Sequence, residues 1–248
     1  MLEESPSTNA VVAARARAGE QPGLVLVAEH QTAGRGRLDR TWVTPARAAL
    51  TFSLLVSPGE VPVARWPWLP LLTGLAVTEG VRRSSGVAAA LKWPNDVLVG
   101  DLKVAGVLAE RIERPGGAVA VVGVGLNVSS TAAELPVPTA TSLALAGATS
   151  TDRSQLLGAV LGAFTEVYDD WRSVGGAAGG GLRDAYVAAC TTLGRRVRVQ
   201  LPDGVPLEGR ATGVDEDGRL LVDDGQRVHA LGAGDVVHVR PAPGIGEP

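Results

Sequence analysis

"LKWPNDVLVGDLKVAGVLAE", residues 91–110, is the stretch that sets the fold. Two apolar runs, Val97–Val99 and Leu102–Val104, flank Gly100-Asp101, the sequence of a β-hairpin with a two-residue turn. Pairing Val99 with Leu102 and Leu98 with Lys103 puts Asp96 opposite Ala105, on the face that carries Lys103. Diagonal neighbours of that kind lie roughly 7–8 Å apart between Cα atoms, a gap that a lysine side chain spans. As a surface ion pair Asp96–Lys103 would be worth under about 1 kcal/mol. A lysine in an otherwise apolar strand must nevertheless reach solvent or a ligand, and Trp93-Pro94-Asn95 stands beside it.

Further strands surround this hairpin in sequence. "GLVLVAEH" (23–30), "ALTFSLLVS" (49–57) and "AVAVVGVGLNV" (118–128) are β-rich and mostly apolar, as strands covered by helices are. With helical stretches between them they suggest an α/β pattern up to about residue 172. Gly123 and Gly125 weaken a strand unless something approaches its backbone closely, and Asn127 offers an amide nearby; ligand and non-ligand readings are about even. From Asp152 to Trp171, Leu156, Leu157, Val160, Leu161, Phe164, Val167, Tyr168 and Trp171 share one helical face behind a cap formed by Asp152 and Gln155. That face reads as core packing. "VGGAAGGGL" (174–182) reads as a flexible connection.

Beyond it the composition changes. "RRVRVQL", "EGRATGVD", "RLLVDD", "RVHALG" and "VVHVR" are short β-like runs divided by Pro-Asp-Gly, Asp-Gly and Asp-Gly-Gln turns, which predicts a small barrel of about five strands. Seven arginines against eight acids between residues 194 and 240 leave it at −1, a poor balance for an RNA-binding barrel. The last residues, "APGIGEP", read as a disordered tail. The whole chain carries 23 basic and 26 acidic residues, net −3, so the charge footprint of a general nucleic-acid binder is missing. The single cysteine, Cys190, has no intramolecular disulfide partner, and His30, His229 and His238 are too far apart in sequence to suggest a metal site. No signal-peptide pattern and no bilayer-length apolar run are found, so a cytoplasmic location is expected.

"EHQTAGRGRLDRTW" (29–42) brings Arg35, Arg37 and Arg40 together among glycines. Neither a strand nor a helix would point all three guanidinium groups one way, whereas a loop folded around an anion would. Gly34 and Gly36 allow positive φ and close backbone approach, and arginine adds bidentate forks for phosphate or carboxylate. Taken alone, a solvated basic loop is the commoner outcome. Ser7-Thr8-Asn9, ahead of "AVVAARARA", reads as a helix cap whose free N–H groups can also serve a polar ligand.

Taken in order, "STN", "HQTAGRGRLDRTW", "KWPNDVLV", "DLKVAGVLAE" and "GVGLNV" resemble biotin protein ligases, over nearly the whole chain. The resemblance implies an α+β fold: a mixed β-sheet flanked by helices, of the class II aminoacyl-tRNA synthetase and biotin synthetase type, over residues 1–188. An SH3-like β-barrel and tail follow over 189–248. It implies activation of biotin by ATP to biotinyl-5′-AMP, with Mg²⁺ carried on the nucleotide and no direct metal ligand named in the chain. A lysine of a biotin carboxyl carrier protein domain then receives the biotinyl group.

By the same resemblance Ser7, Thr8, Asn9 and Gln31 bind the biotin ring system. Arg35, Gly36 and Arg37 form a loop over biotin and the adenylate, and Arg40 adds a phosphate contact. Lys103 sits by the carboxylate and α-phosphate with Lys92 assisting, Asp96 orients or deprotonates the incoming lysine, and Trp42 and Asn127 lie near the adenine. The family usually has glycine where this chain has Asp39, which puts the loop's dynamics in question. Only six residues precede Ser7, so a monofunctional ligase without a DNA-binding helix-turn-helix is expected, monomeric or weakly dimeric, with neither nucleic-acid nor membrane partners. A lipoate-protein ligase or octanoyltransferase is the nearest alternative; the polar Ser-Thr-Asn and Gln31 suit a ureido ring better than an alkyl chain.

Overall fold

The computed structural model describes residues 1–179, 181–201, 205–232 and 234–238. Its larger sheet has seven strands: β1 (Leu2–Ser5), β2 (Val25–Gln31), β5 (Ala49–Val56), β6 (Ala90–Lys92), β7 (Asp96–Val99), β8 (Leu102–Ile112) and β9 (Val119–Asn127). They lie in the order β1-β2-β5-β9-β8-β7-β6, with β1 and β2 parallel and every other pair antiparallel. The sheet is therefore mixed and the class α+β; the alternating pattern of apolar strands and helices did not reveal strand direction. A two-stranded ribbon, β3 (Gly34–Arg35) with β4 (Thr41–Trp42), stands apart from it.

Helices cover both faces. Helix α1 (Thr8–Arg17) packs Val12, Ala13 and Ala16 onto Leu26, Leu55, Val119 and Val121. On the other face α2 (Trp68–Ser85) and α3 (Arg153–Ser173) cover Leu50, Phe52, Leu54, Ala120, Val122, Val124 and Leu126. Because alternate residues face alternate sides, β5 and β9 are buried along their entire length. Helix α3 bears the capped apolar face read from sequence: Asp152 accepts hydrogen bonds from the Ser154 and Gln155 amides, and Leu156, Val160, Phe164, Tyr168 and Trp171 are buried.

The face under α1 changes character along each strand. On β9 its residues run Val119, Val121, Gly123, Gly125, and on β5 Leu55, Ser53, Thr51. They are large and apolar beneath the body of the helix, then small or polar beyond its N-terminus. That change opens a trough in the sheet where the helix stops.

The second sheet, β13-β12-β11-β10-β14, is antiparallel throughout and forms the SH3-like barrel. Its strands are β10 (Arg196–Gln200), β11 (Pro206–Val214), β12 (Leu220–Asp223), β13 (Val228–Leu231) and β14 (Asp235–His238). The Pro-Asp-Gly turn at 202–204 and the tail lie outside the described residues. The glycine-rich connection is shorter than expected, since Gly181 and Leu182 already belong to α4 (Gly181–Ala189). Tyr186 of α4 is buried with its ring edge against Trp68, and Ala178 is buried as well.

Candidate active site

The trough is floored by Gly106, Gly123, Gly125 and Thr51 and opens into a cavity of about 120 Å³. One wall is the start of α1. Ser7 caps that helix, its hydroxyl accepting from the Ala10 amide at 3.4 Å, and Ser7, Thr8 and Asn9 are all buried. Gln31, at the end of β2, accepts at Oε1 from both the Thr8 amide (2.7 Å) and the Thr8 hydroxyl (3.1 Å). Ser53 Oγ lies 2.8 Å from Thr8 Oγ1 and 2.6 Å from Asn9 Oδ1. Asn9 rests on Gly123, where a built Cβ would stand 2.8 Å from Asn9 Cγ.

The facing wall is the β3–β4 ribbon, which carries Arg35, Gly36, Arg37, Leu38, Arg40 and Trp42 into the lining. The loop's glycines serve close approach, not positive φ. A Cβ at Gly34 would meet Gln31 Nε2 at 2.8 Å, and the Gly36 amide donates to Arg40 O at 2.7 Å. The left-handed residues are Leu38 (φ 53°) and Asp39 (φ 57°). Trp42 lies across the floor glycines, its Nε1 2.6 Å from where a Cβ of Gly125 would be. That indole N–H is buried and without a hydrogen-bond partner among the described residues.

The hairpin closes the end of the cavity. Leu98 pairs with Lys103 and Val99 with Leu102 as expected, but a bulge between Val97 and Leu98 then sets Asp96 opposite Gly106, not Ala105. The extra residue, Val104, returns Lys103 and Gly106 to the face of Asp96. Lys103 therefore lies over Gly106, with Nζ 2.5 Å from Asp96 Oδ1 and 5.7 Å from the Trp42 ring centroid. About a third of its side chain is exposed (34 %), toward the cavity it lines. Two further contacts tie the arginines to the sheet: Arg35 NH1 lies 3.3 Å from Glu110 Oε1, and Arg37 NH1 donates to Asn95 Oδ1 at 3.3 Å.

Of the residues singled out in the sequence, Ser7, Thr8, Asn9, Gln31, Arg35, Gly36, Arg37, Arg40, Trp42, Asp96 and Lys103 line this one cavity. Lys92 and Asn127 are not in its lining. Lys92 lies opposite Asp96 on the edge strand β6. Asn127 is buried, with its amide donating to Thr141 O at 2.9 Å, so it braces the segment after β9. Thr51, Ser53, Asn95 and Glu110 were not assigned roles from sequence. Thr51 and Ser53 carried a signal, as polar residues two apart in an apolar strand; Glu110 likewise continues the alternation Gly106, Leu108, Glu110.

Among the described residues no group of three His, Cys, Asp or Glu side chains could hold a metal ion. Asp96 is the one acid among the described lining residues, and it is paired with Lys103. No helix among the described residues is long and apolar enough to cross a membrane.

Comparison with known proteins bears on this arrangement. The profile of the biotin/lipoate A/B protein ligase family matches residues 2–127, and that of the biotin protein ligase C-terminal domain matches residues 192–239. The chain is 43 % identical over 244 residues to a biotin–acetyl-CoA-carboxylase ligase of Mycobacterium tuberculosis, covering 97 % of this chain and 88 % of that one. It is 32 % identical to a protein of the same name from Paracoccus denitrificans, covering 90 % and 92 %. Among solved structures it is similar to the biotin protein ligase of Aquifex aeolicus in complex with biotin and ATP, with a TM-score of 0.80, 28 % identity and 97 % of each chain covered.

Proposed function

The chain belongs to the biotin/lipoate A/B protein ligase family, and from that premise we propose how its cavity works as the active site of a biotin protein ligase. One observation carries the reading: a lysine from the hairpin and the arginine ribbon meet over a small-residue trough whose other end is polar and buried. Joining a carboxylate to a triphosphate brings anions together, and cations already aimed at the developing charge stabilise that transition state by about 2.7–4 kcal/mol each.

In the first step a carboxylate oxygen of biotin attacks the α-phosphorus of ATP. The new P–O bond forms as the bond to pyrophosphate breaks, giving biotinyl-5′-AMP. Lys103, with Arg37 and Arg40, faces the charge that builds there. Ser7, Thr8 and Gln31 offer hydroxyl and carboxamide groups to the ureido ring, and Trp42 offers the adenine a flat apolar surface and an unused N–H. In the second step the amine of the acceptor lysine attacks the acyl carbon, the bond to AMP breaks, and an amide forms. The proton lost by the amine passes to Asp96, whose carboxylate is held at the cavity by Lys103. An acyl-adenylate hydrolyses readily, and the ribbon over the trough excludes water from it.

Mg²⁺ fits the lining only as an ion that enters on the nucleotide phosphates, since the described donors are predominantly cationic and Asp96 is engaged by Lys103. It would supply charge neutralisation on the triphosphate. The acceptor is a biotin carboxyl carrier protein domain. We also propose a division into a catalytic unit, 1–188, and a barrel unit with tail, 189–248; α4 ends at Ala189 and β10 starts at Arg196. A cytoplasmic setting accords with the single, buried, free Cys190.

Lipoate or octanoate as the acyl group is disfavoured, because the deep end of the trough is lined with buried polar groups, a poorer match to an alkyl chain than to a ureido ring. The test is mass spectrometry of a carrier domain incubated with the protein, ATP, Mg²⁺ and either biotin or lipoate. A single added biotinyl group is expected. Modification by lipoate in preference to biotin would overturn the reading.

A further inference from the structure

Beside an arginine loop built for anions, Glu110 looks misplaced, because its carboxylate competes for the same cation. Its partners explain its position. Oε2 accepts from Asn9 Nδ2 at 2.8 Å, and Oε1 lies 3.3 Å from Arg35 NH1. Asn9 belongs to the α1 wall of the cavity and Arg35 to the ribbon wall, while Glu110 projects from β8, which contributes to the floor. One carboxylate thus bridges two walls that are 26 residues apart in sequence (35 − 9) and have no strand pairing with each other.

Asn9 itself has no hydrogen-bond donor to spare. Its Nδ2 hydrogens go to Glu110 and to Leu108 O (3.2 Å), and its Oδ1 lies 2.6 Å from Ser53 Oγ. With both amide hydrogens used, it has no donor left for a ligand. We propose that Glu110 is a positioning residue of the ligase site: acting through Asn9 and Arg35, it sets the spacing between the helix and ribbon walls at the biotin end of the trough. Asn9 then serves as a link in that bridge and not as a hydrogen-bond donor to the ureido ring. The ribbon reaches the ureido side through Gly34, which stands against Gln31, one residue before Arg35.

This inference rests on the biotin ligase reading, and the test separates the two. Biotin affinity is measured by calorimetry, and the KM values for biotin and ATP by pyrophosphate release, for the parent and for Glu110→Gln, Glu110→Ala, Arg35→Ala and the double variant Glu110→Ala/Arg35→Ala. Glu110→Gln keeps an acceptor for Asn9 and removes the charge facing Arg35. The expected result is a biotin Kd weakened about threefold in Glu110→Gln and about tenfold in Glu110→Ala, the scale of one charge-assisted hydrogen bond at a half-exposed site. The ATP KM stays within about twofold, and the thermal midpoint of Glu110→Gln stays within about 2 °C of the parent. The double variant is no weaker than the worse single one.

Unchanged biotin Kd in Glu110→Gln and Glu110→Ala overturns the proposal, as does full additivity with Arg35→Ala. Should Glu110→Ala fail to fold, Glu110→Gln alone decides. A parent protein that binds no biotin would instead overturn the functional reading.

Discussion

Lys103 and Asp96 show how far single residues can be read from sequence. A lysine in an apolar strand next to a two-residue turn had to reach something polar, and it does. The bulge at Val104 was not legible, because an extra valine inside "LKVAGV" leaves the apolar pattern intact. The spacing of the ion pair survived the error because the bulge shifts register and face together. Lys103→Ala should slow adenylate formation by about 10²–10³-fold while the thermal midpoint moves little, as expected for a cation facing developing charge. Undiminished pyrophosphate release would remove Lys103 from the chemistry. Asp39, at the position where the family resemblance leads one to expect glycine, sits at φ 57°, in the left-handed region that glycine favours. Aspartate tolerates this conformation; a β-branched residue does not. Asp39→Val is expected to cost about 1–2 kcal/mol in the folded loop, seen as faster loss of adenylate to solvent than from the parent. Equal retention would mean that the loop turn is not what seals the site.

At the scale of elements, legibility followed pattern strength. The apolar strands and the long capped helix α3 were readable because burial on both faces and a 3.6-residue stripe leave clear marks. Helix α4 was not, since it starts in glycine and its buried surface centres on Tyr186. The ribbon β3–β4 is two residues to a strand, below what periodicity resolves. The two glycines of β9 were ambiguous in sequence, and the structure shows what approaches them: each lies under a side chain from a different wall of the site. A methyl group at Gly123 meets Asn9, whereas one at Gly125 meets Trp42. The substitutions should therefore separate the two substrates. Gly123→Ala is expected to weaken biotin binding by about tenfold or more, since the displaced Asn9 loses its bonds to Glu110 and Ser53. Gly125→Ala should act mainly on the nucleotide, raising the KM for ATP. Steady-state kinetics on the two variants checks this, and identical effects on both substrates would show that the trough behaves as one undivided pocket.

For the molecule as a whole, the seam between the barrel and the large sheet was invisible in sequence, because its contacts join residues about a hundred or more positions apart. Trp68 Nε1 donates to Glu216 O at 2.7 Å and Trp93 Nε1 to Gly218 O at 3.0 Å, so the barrel turn 215–218 is held by two indoles of the large domain. The same seam holds Thr192, which accepts from the Trp93 amide at 3.1 Å and lies 3.2 Å from His238 Nε2. Arg195 NH1 lies 3.3 Å from His238 Nδ1 and 3.1 Å from Asp101 at the hairpin turn. Burial, then the nearby Lys92 and Arg195 cations, push the His238 pKa down to about 4, with Asp101 opposing. The imidazole is thus neutral in the folded protein down to about pH 4, whereas in the unfolded chain it takes up a proton near pH 6.5. Between those values the unfolded state holds more protons, so the contribution of His238 is complete above about pH 6.5 and is lost as the pH falls toward 4. Glu79 and Asp224, whose pKa values are lowered by arginine and by backbone and histidine hydrogen bonds respectively, also lose stability in acid, but only as the pH falls through the ordinary carboxylate range and below it. The difference between parent and His238→Asn therefore isolates the seam. The thermal midpoint of the parent should fall more steeply than that of His238→Asn from pH 6.5 to 4.5, and parallel curves would show that this histidine is already solvated in the native protein.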